Sequence, residues 1–106
     1  MLPKKNRLPA RSTLIRSATI ATPYFTVKFC KNLLLESRFA FVMSKASAKN
    51  ATDRNRAKRI VRSCVEELLP YSASPTDFLF ILKKSTVGVA REAVFPFVKH
   101  VIAKTL

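Results

Sequence analysis

At 106 residues the chain has the length of one domain, and a hydrophobic fraction of 48% with eight Phe is too apolar for a disordered basic tail. Twenty Lys and Arg against six Asp and Glu give a formal charge of +14. Such self-repulsion calls for a polyanionic partner, nucleic acid first and an anionic membrane surface second.

The imbalance is concentrated in the first sixty residues, since no acid precedes Glu36. Residues 1–8, with Lys4, Lys5 and Arg7, read as an extended basic arm, because Pro3 opposes an early helix. The acid-free start has the composition of a mitochondrial transit peptide, but Pro3 and Pro9 break the amphipathic helix that such a peptide requires. Pro9 suits a first helical turn, and a short, weak helix is expected from there to about Ile20, with Leu14 and Ala18 on one side. YFTVKFCK (24–31) alternates as a half-buried strand with Phe25, Val27 and Phe29 on one face and Lys28 on the other. RFAFVMSK (38–45) reads as a second strand, and the intervening NLLLES as a hairpin connection whose three leucines nothing in the pattern explains.

The period then changes. From Arg54 to Leu69, Ala57, Ile60, Val61, Cys64, Val65, Leu68 and Leu69 fall on one helical stripe, with Thr52 or Asp53 as a cap and Pro70 as the stop. Arg54, Lys58 and Arg62 form a second stripe at one edge, flanked by Asn55 and Arg59, and Arg56 points to the far side. No acid stands at i±4 within the run, whereas a merely solvated face carries mixed signs. Cations also oppose the dipole of a helix N-terminus by about 0.3–1 kcal/mol each. Phosphate would relieve both conflicts, through free helix N–H groups and through bidentate contacts from arginine. DFLFILKK (77–84) reads as a strand covered on both faces, and the tail from about Val89 to Thr105 as a helix kinked or restarted at Pro96.

Catalytic chemistry is poorly represented. His100 is the one histidine, Gly88 the one glycine, and Glu66 and Glu67 point in different directions. Dinucleotide and P-loop fingerprints are therefore excluded, no metal set is spaced, and no small-molecule substrate is indicated. Cys30 and Cys64 suit two small buried hydrophobes in a reduced, cytoplasmic protein. No apolar run is long enough to span a bilayer, and the basic helix lacks the aromatic face of a membrane-surface anchor. The chain reads as a binder without an active site of its own.

MLPKKNRL, RFAFVMSK and AKNATDRNRAKRIVR together resemble the protein subunit of bacterial ribonuclease P. The signature comprises Ala51, Arg54, Asn55, Arg56, Lys58, Arg59 and Arg62, complete in residue and spacing. The resemblance implies an α+β fold, a single-domain α/β sandwich of order αβββαβα spanning residues 1–106. Its mixed sheet would contain a left-handed βαβ crossover, like a domain known from ribosomal proteins, against the usual handedness. It implies a cytoplasmic subunit that assists a catalytic RNA in removing the 5′ leader from precursor tRNA. The Mg²⁺ would be required by the RNA, with no cofactor bound by the protein. Arg54, Asn55 and Lys58 would face a leader groove with Leu14, Ala18 and Lys28. Arg56, Arg59, Lys45 and Lys49 would stand nearer the catalytic RNA, and Arg62 and Arg7 would add RNA contacts. Leu14, Ala18 and Lys28 stand where the family usually offers aromatics, Ala46 replaces a second Lys, and Ser63 replaces a Glu. A structural RNA binder of ribosomal type, without a role in tRNA processing, is the alternative that composition fits equally.

Overall fold

The computed structural model describes residues 3–8, 17–32, 35–69 and 75–104. The elements are β1 (Ala18–Ala21), β2 (Phe25–Lys31), β3 (Arg38–Val42), α1 (Ala51–Leu68), β4 (Thr76–Leu82) and α2 (Arg91–Ala103). Most of the helix expected over 9–20, Leu14 included, lies outside the described residues. Its last turn is corrected: Ala18–Ala21 is a strand, paired antiparallel with β2. A Thr22 turn closes this hairpin, its amide and hydroxyl both donating to the Phe25 carbonyl at 2.8 Å.

The expected hairpin between the strands at 24–31 and 38–45 does not form. The sheet order is β1-β2-β4-β3, so β4 inserts between them, antiparallel to β2 and parallel to β3. β4 takes this place with FLFIL, the longest apolar run in any of the four strands. The second strand also stops at Val42 rather than Lys45. α1 joins the parallel pair β3 and β4, as the resemblance implied.

Side-chain alternation divides the sheet into two unlike faces. Phe25, Val27, Phe39, Phe78, Phe80 and Leu82 point inward and share one core with Val61, Cys64 and Val65 of α1 and Val94, Val98 and Val101 of α2. The rings touch in series: Phe39 stacks on Phe78 at 4.9 Å, Phe41 on Phe80 at 5.3 Å, and Phe25 meets Phe80 edge-on at 5.1 Å. The outer face carries Thr19, Lys28 and Cys30 beside Asp77, Leu79 and Ala40. Leu79 and Ile81 are only half-buried there, so β4 is not fully covered on both faces. Cys30 and Cys64 are free and lie on opposite sides of the sheet, and only Cys64 is buried. Burial pushes the Cys64 thiol pKa up.

Three local expectations change. The basic arm is not simply extended: Lys4–Asn6 form a 3₁₀ turn, Asn6 is buried and donates to the Ser37 carbonyl at 2.8 Å, and Arg7 bridges in parallel to Phe39. α1 begins three residues early, with Asn50 at the cap position making no side-chain capping bond, so Thr52 and Asp53 lie inside the helix. Asp53 still favours the positive end of the helix dipole from the first turn. Pro96 sits inside a continuous α2 instead of dividing it. Gly88 enables the turn before α2 by adopting φ +74°, a region that other residues rarely occupy.

Candidate nucleic-acid interface

α1 presents the cations because its apolar stripe fixes its rotation on the sheet. With Ala57, Val61, Cys64, Val65 and Leu68 buried, Asn55, Arg56 and Arg59 are driven into solvent, and Arg54, Lys58 and Arg62 fall half-buried along the margin. Lys45 lies in an exposed turn over residues 45–47, and Lys49 is exposed just ahead of the helix. Among the described residues, no acidic side chain forms an ion pair with Lys45, Lys49, Arg56, Lys58 or Arg59.

The two ends of the marginal stripe are anchored. The Arg62 guanidinium lies 5.6 Å from the centre of the Phe41 ring, tying α1 to β3. Arg54 turns back over the helix start, and its Nη1 donates to the carbonyls of Ala48 at 2.8 Å and Lys49 at 2.9 Å. The loop it grips is itself one hydrogen-bonded turn, in which the Ser47 and Ala48 amides donate to the Ser44 carbonyl at 3.1 and 3.2 Å. A hollow of about 440 Å³ opens beside this loop, walled by Lys49, Asp53, Lys84 and Val87.

The residues expected to line a leader groove do not all meet. Lys28 pairs in register with Thr19 and Leu79 on the outer face, whereas Ala18 pairs with Phe29 and belongs to the inner one. A strand alternates strictly, so adoption of β1 separates Ala18 from Lys28. Leu14 lies outside the described residues. Lys28 is exposed, while the α1 stripe is rooted on the opposite side of the sheet.

A polar network on the outer face was not anticipated. Arg38 binds Asp77 through both ends of its fork, at 2.9 and 2.7 Å, and Asn32 Nδ2 donates to Asp77 Oδ1 at 2.8 Å. Burial of Asp77 raises its pKa, but the hydrogen bonds from Arg38 and Asn32 and the Arg38 charge outweigh it and hold the carboxyl below its ordinary range. At the inner corner, Arg91 pairs with Glu67 at 3.2 Å, donates to Ser63 at 3.1 Å and lies over Phe95. No group of three potential metal ligands occurs among the described residues, and no helix there is long and apolar enough to cross a membrane.

Comparison with known proteins bears on this arrangement. A family model described as Ribonuclease P matches residues 2–106. The ribonuclease P protein component of Histophilus somni (strain 2336) is 36% identical over 76 residues, covering 72% of this chain and 63% of that protein. That of Aliivibrio fischeri is 34% identical over 71 residues, covering 67% of this chain and 60% of its own. The matches thus span less than two thirds of those relatives' length. Among solved structures, the RNase P protein from Thermotoga maritima superposes with a TM-score of 0.67 at 26% identity, over 80% of this chain and 84% of its own. That of Staphylococcus aureus gives 0.71 at 24% identity, over 85% and 84%, a likeness of fold. This chain belongs to the Ribonuclease P family.

Proposed function

We propose that the chain is the RNA-binding protein component of ribonuclease P and works in the cytoplasm. It would bind the catalytic RNA and the single-stranded 5′ leader of precursor tRNA, helping the RNA to remove that leader. The observation that carries this reading is the cationic surface at the start of α1 and in the loop before it, in a chain of this family: Lys45, Lys49, Arg56 and Arg59 are exposed cations without ion-pair partners among the described residues. Phosphate oxygens supply the missing charge, and arginine forks add geometry to it. Mg²⁺ belongs to the RNA in this reading and supplies the hydrolytic chemistry. The residues of this chain bind and orient.

Lys45, Lys49, Arg56 and Arg59, with Arg7 from the docked arm, contact the catalytic RNA. Asn55 and Lys58 contact the leader, as does Lys28 on the outer sheet face. A strand reaching from Lys28 to Lys58 would cross β4 and β3 and round the β3 edge, past Arg62 above Phe41. Leader contact at Lys28 is electrostatic and lacks base stacking, which elsewhere is worth about 1–3 kcal/mol per base. Leader affinity should therefore respond to salt more than to leader sequence.

Reconstitution with ribonuclease P RNA and precursor tRNA at low Mg²⁺ tests the proposal. The protein should bind the RNA and restore leader removal. Binding of unrelated structured RNAs with equal affinity, without any gain in leader removal, would favour the ribosomal-type alternative.

A further inference from the structure

The side chain of Arg54 is directed inward, at the chain that precedes its own helix. Its amide makes the first helical bond, to Asn50 at 3.1 Å, while Nη1 reaches back to two successive carbonyls, at 2.8 Å to Ala48 and 2.9 Å to Lys49. The other bonds of this loop are internal to it: the Ser47 and Ala48 amides donate to the Ser44 carbonyl at 3.1 and 3.2 Å, and Ser44 Oγ lies 3.1 Å from Ser47 Oγ and accepts the Ser47 amide at 3.2 Å. Asn50, at the cap position, contributes no side-chain bond to hold the join. Ala48 packs against the core, and among the described residues Arg54 is the one side chain of α1 seen to hydrogen-bond the Ser44–Asn50 segment.

We infer that Arg54 is a positioning residue, which holds the loop so that Lys45 and Lys49 stand at fixed places beside the start of α1, and that its effect on RNA binding passes through those two lysines. This deepens the proposed function and rests on the loop lysines being RNA contacts. The physical reason is that a charge on a mobile loop must lose conformational freedom when it binds, and prior ordering removes that loss. A guanidinium suits the task, because its rigid fork keeps a donor aimed at both carbonyls and never loses its charge.

Two measurements test the inference, one on the free protein and one on the reconstituted holoenzyme. In free Arg54→Ala protein, amide exchange at Ser47 and Ala48 should accelerate by about tenfold or more, with exchange in β2 and β4 unchanged. In assembly of the holoenzyme, affinity for ribonuclease P RNA should fall on Arg54→Ala, and adding Lys45→Ala and Lys49→Ala should weaken it by no more than about twofold further, because coupled groups are not additive. Arg54→Lys, which keeps the charge but shortens the reach and loses the fork, should restore less than half of the lost affinity on a logarithmic scale. Unchanged loop exchange in Arg54→Ala overturns the inference, as does full additivity with the lysine substitutions or full rescue by Lys. The exchange result is independent of any RNA, so it separates failure of the positioning role from failure of the RNA-binding reading. In the latter case the lysine substitutions alone leave affinity unchanged.

Discussion

α1 and α2 rest on the same face of the sheet and bury the same kind of apolar stripe, yet their polar surfaces obey opposite rules. At the start of α2 the one arginine is fully answered. Arg91 meets Glu67, Ser63 and the Phe95 ring, so its charge is spent within the fold. At the start of α1 the answer is incomplete. Arg54 and Arg62 are absorbed by two carbonyls and a ring, but Arg56, Lys58 and Arg59 have no acid among the described residues, and neither do Lys45 and Lys49. Charges that serve the fold have local partners, and charges left without them mark the surface meant for something else. The same helix carries both kinds, separated by its rotation on the core.

That contrast can be sharpened by removing parts from the fold side of the division. The largest effect is expected from the ring ladder beneath both helices. Phe80→Ala removes a ring in contact with Phe25, Phe41 and Phe78 and should cost about 3–5 kcal/mol in denaturant unfolding. RNA affinity should fall only in proportion to the protein that unfolds. A smaller effect is expected at the outer-face pair. Asp77→Asn weakens a nearly buried, bidentate contact with Arg38 and should cost about 1–3 kcal/mol at neutral pH. Since folding lowers the Asp77 pKa, its contribution is present above the ordinary carboxylate pKa and is lost as pH falls through the depressed folded value. The stability gap between wild type and Asp77→Asn should therefore be full at pH 7 and narrow below about pH 4. A gap that widened on acidification would reverse the assignment.

Much of this was legible in the residues, and the misses share a cause. The α1 stripe, the alternation of β2 and the apolar run of β4 are local periodicities, and each predicted its element. What failed was adjacency. Phe25–Lys31 and Arg38–Val42 are consecutive strands with a short connection, so a hairpin was the natural reading, but the best-buried strand comes 34 residues later and inserts between them. The Arg38–Asp77 pair was invisible for the same reason, since an Arg and an Asp near the starts of two strands become a pair only once the register is known. At the candidate site, the cationic fan was readable from a helical wheel. The inward turn of Arg54 was not, because a wheel shows where a side chain starts and not where it folds back. The Thr- and Ile-rich segment that holds Ala18 reads as the end of a weak helix, and in the fold its β propensity prevails.

The central claim is that the unpartnered charge on α1 is what RNA binds, while the charge at the start of α2 belongs to the fold. The salt dependence of affinity for ribonuclease P RNA tests it most directly, comparing wild type with Arg56→Ala/Arg59→Ala and with Arg91→Ala. Loss of two phosphate contacts should lower the slope of log affinity against log salt by about two in the α1 variant, with unfolding stability within about 0.5 kcal/mol of wild type. Arg91→Ala should keep the wild-type slope and lose about 1 kcal/mol of stability, as expected for a half-exposed pair with added packing. An unchanged slope in the α1 variant, or equal reductions in both, would contradict the account.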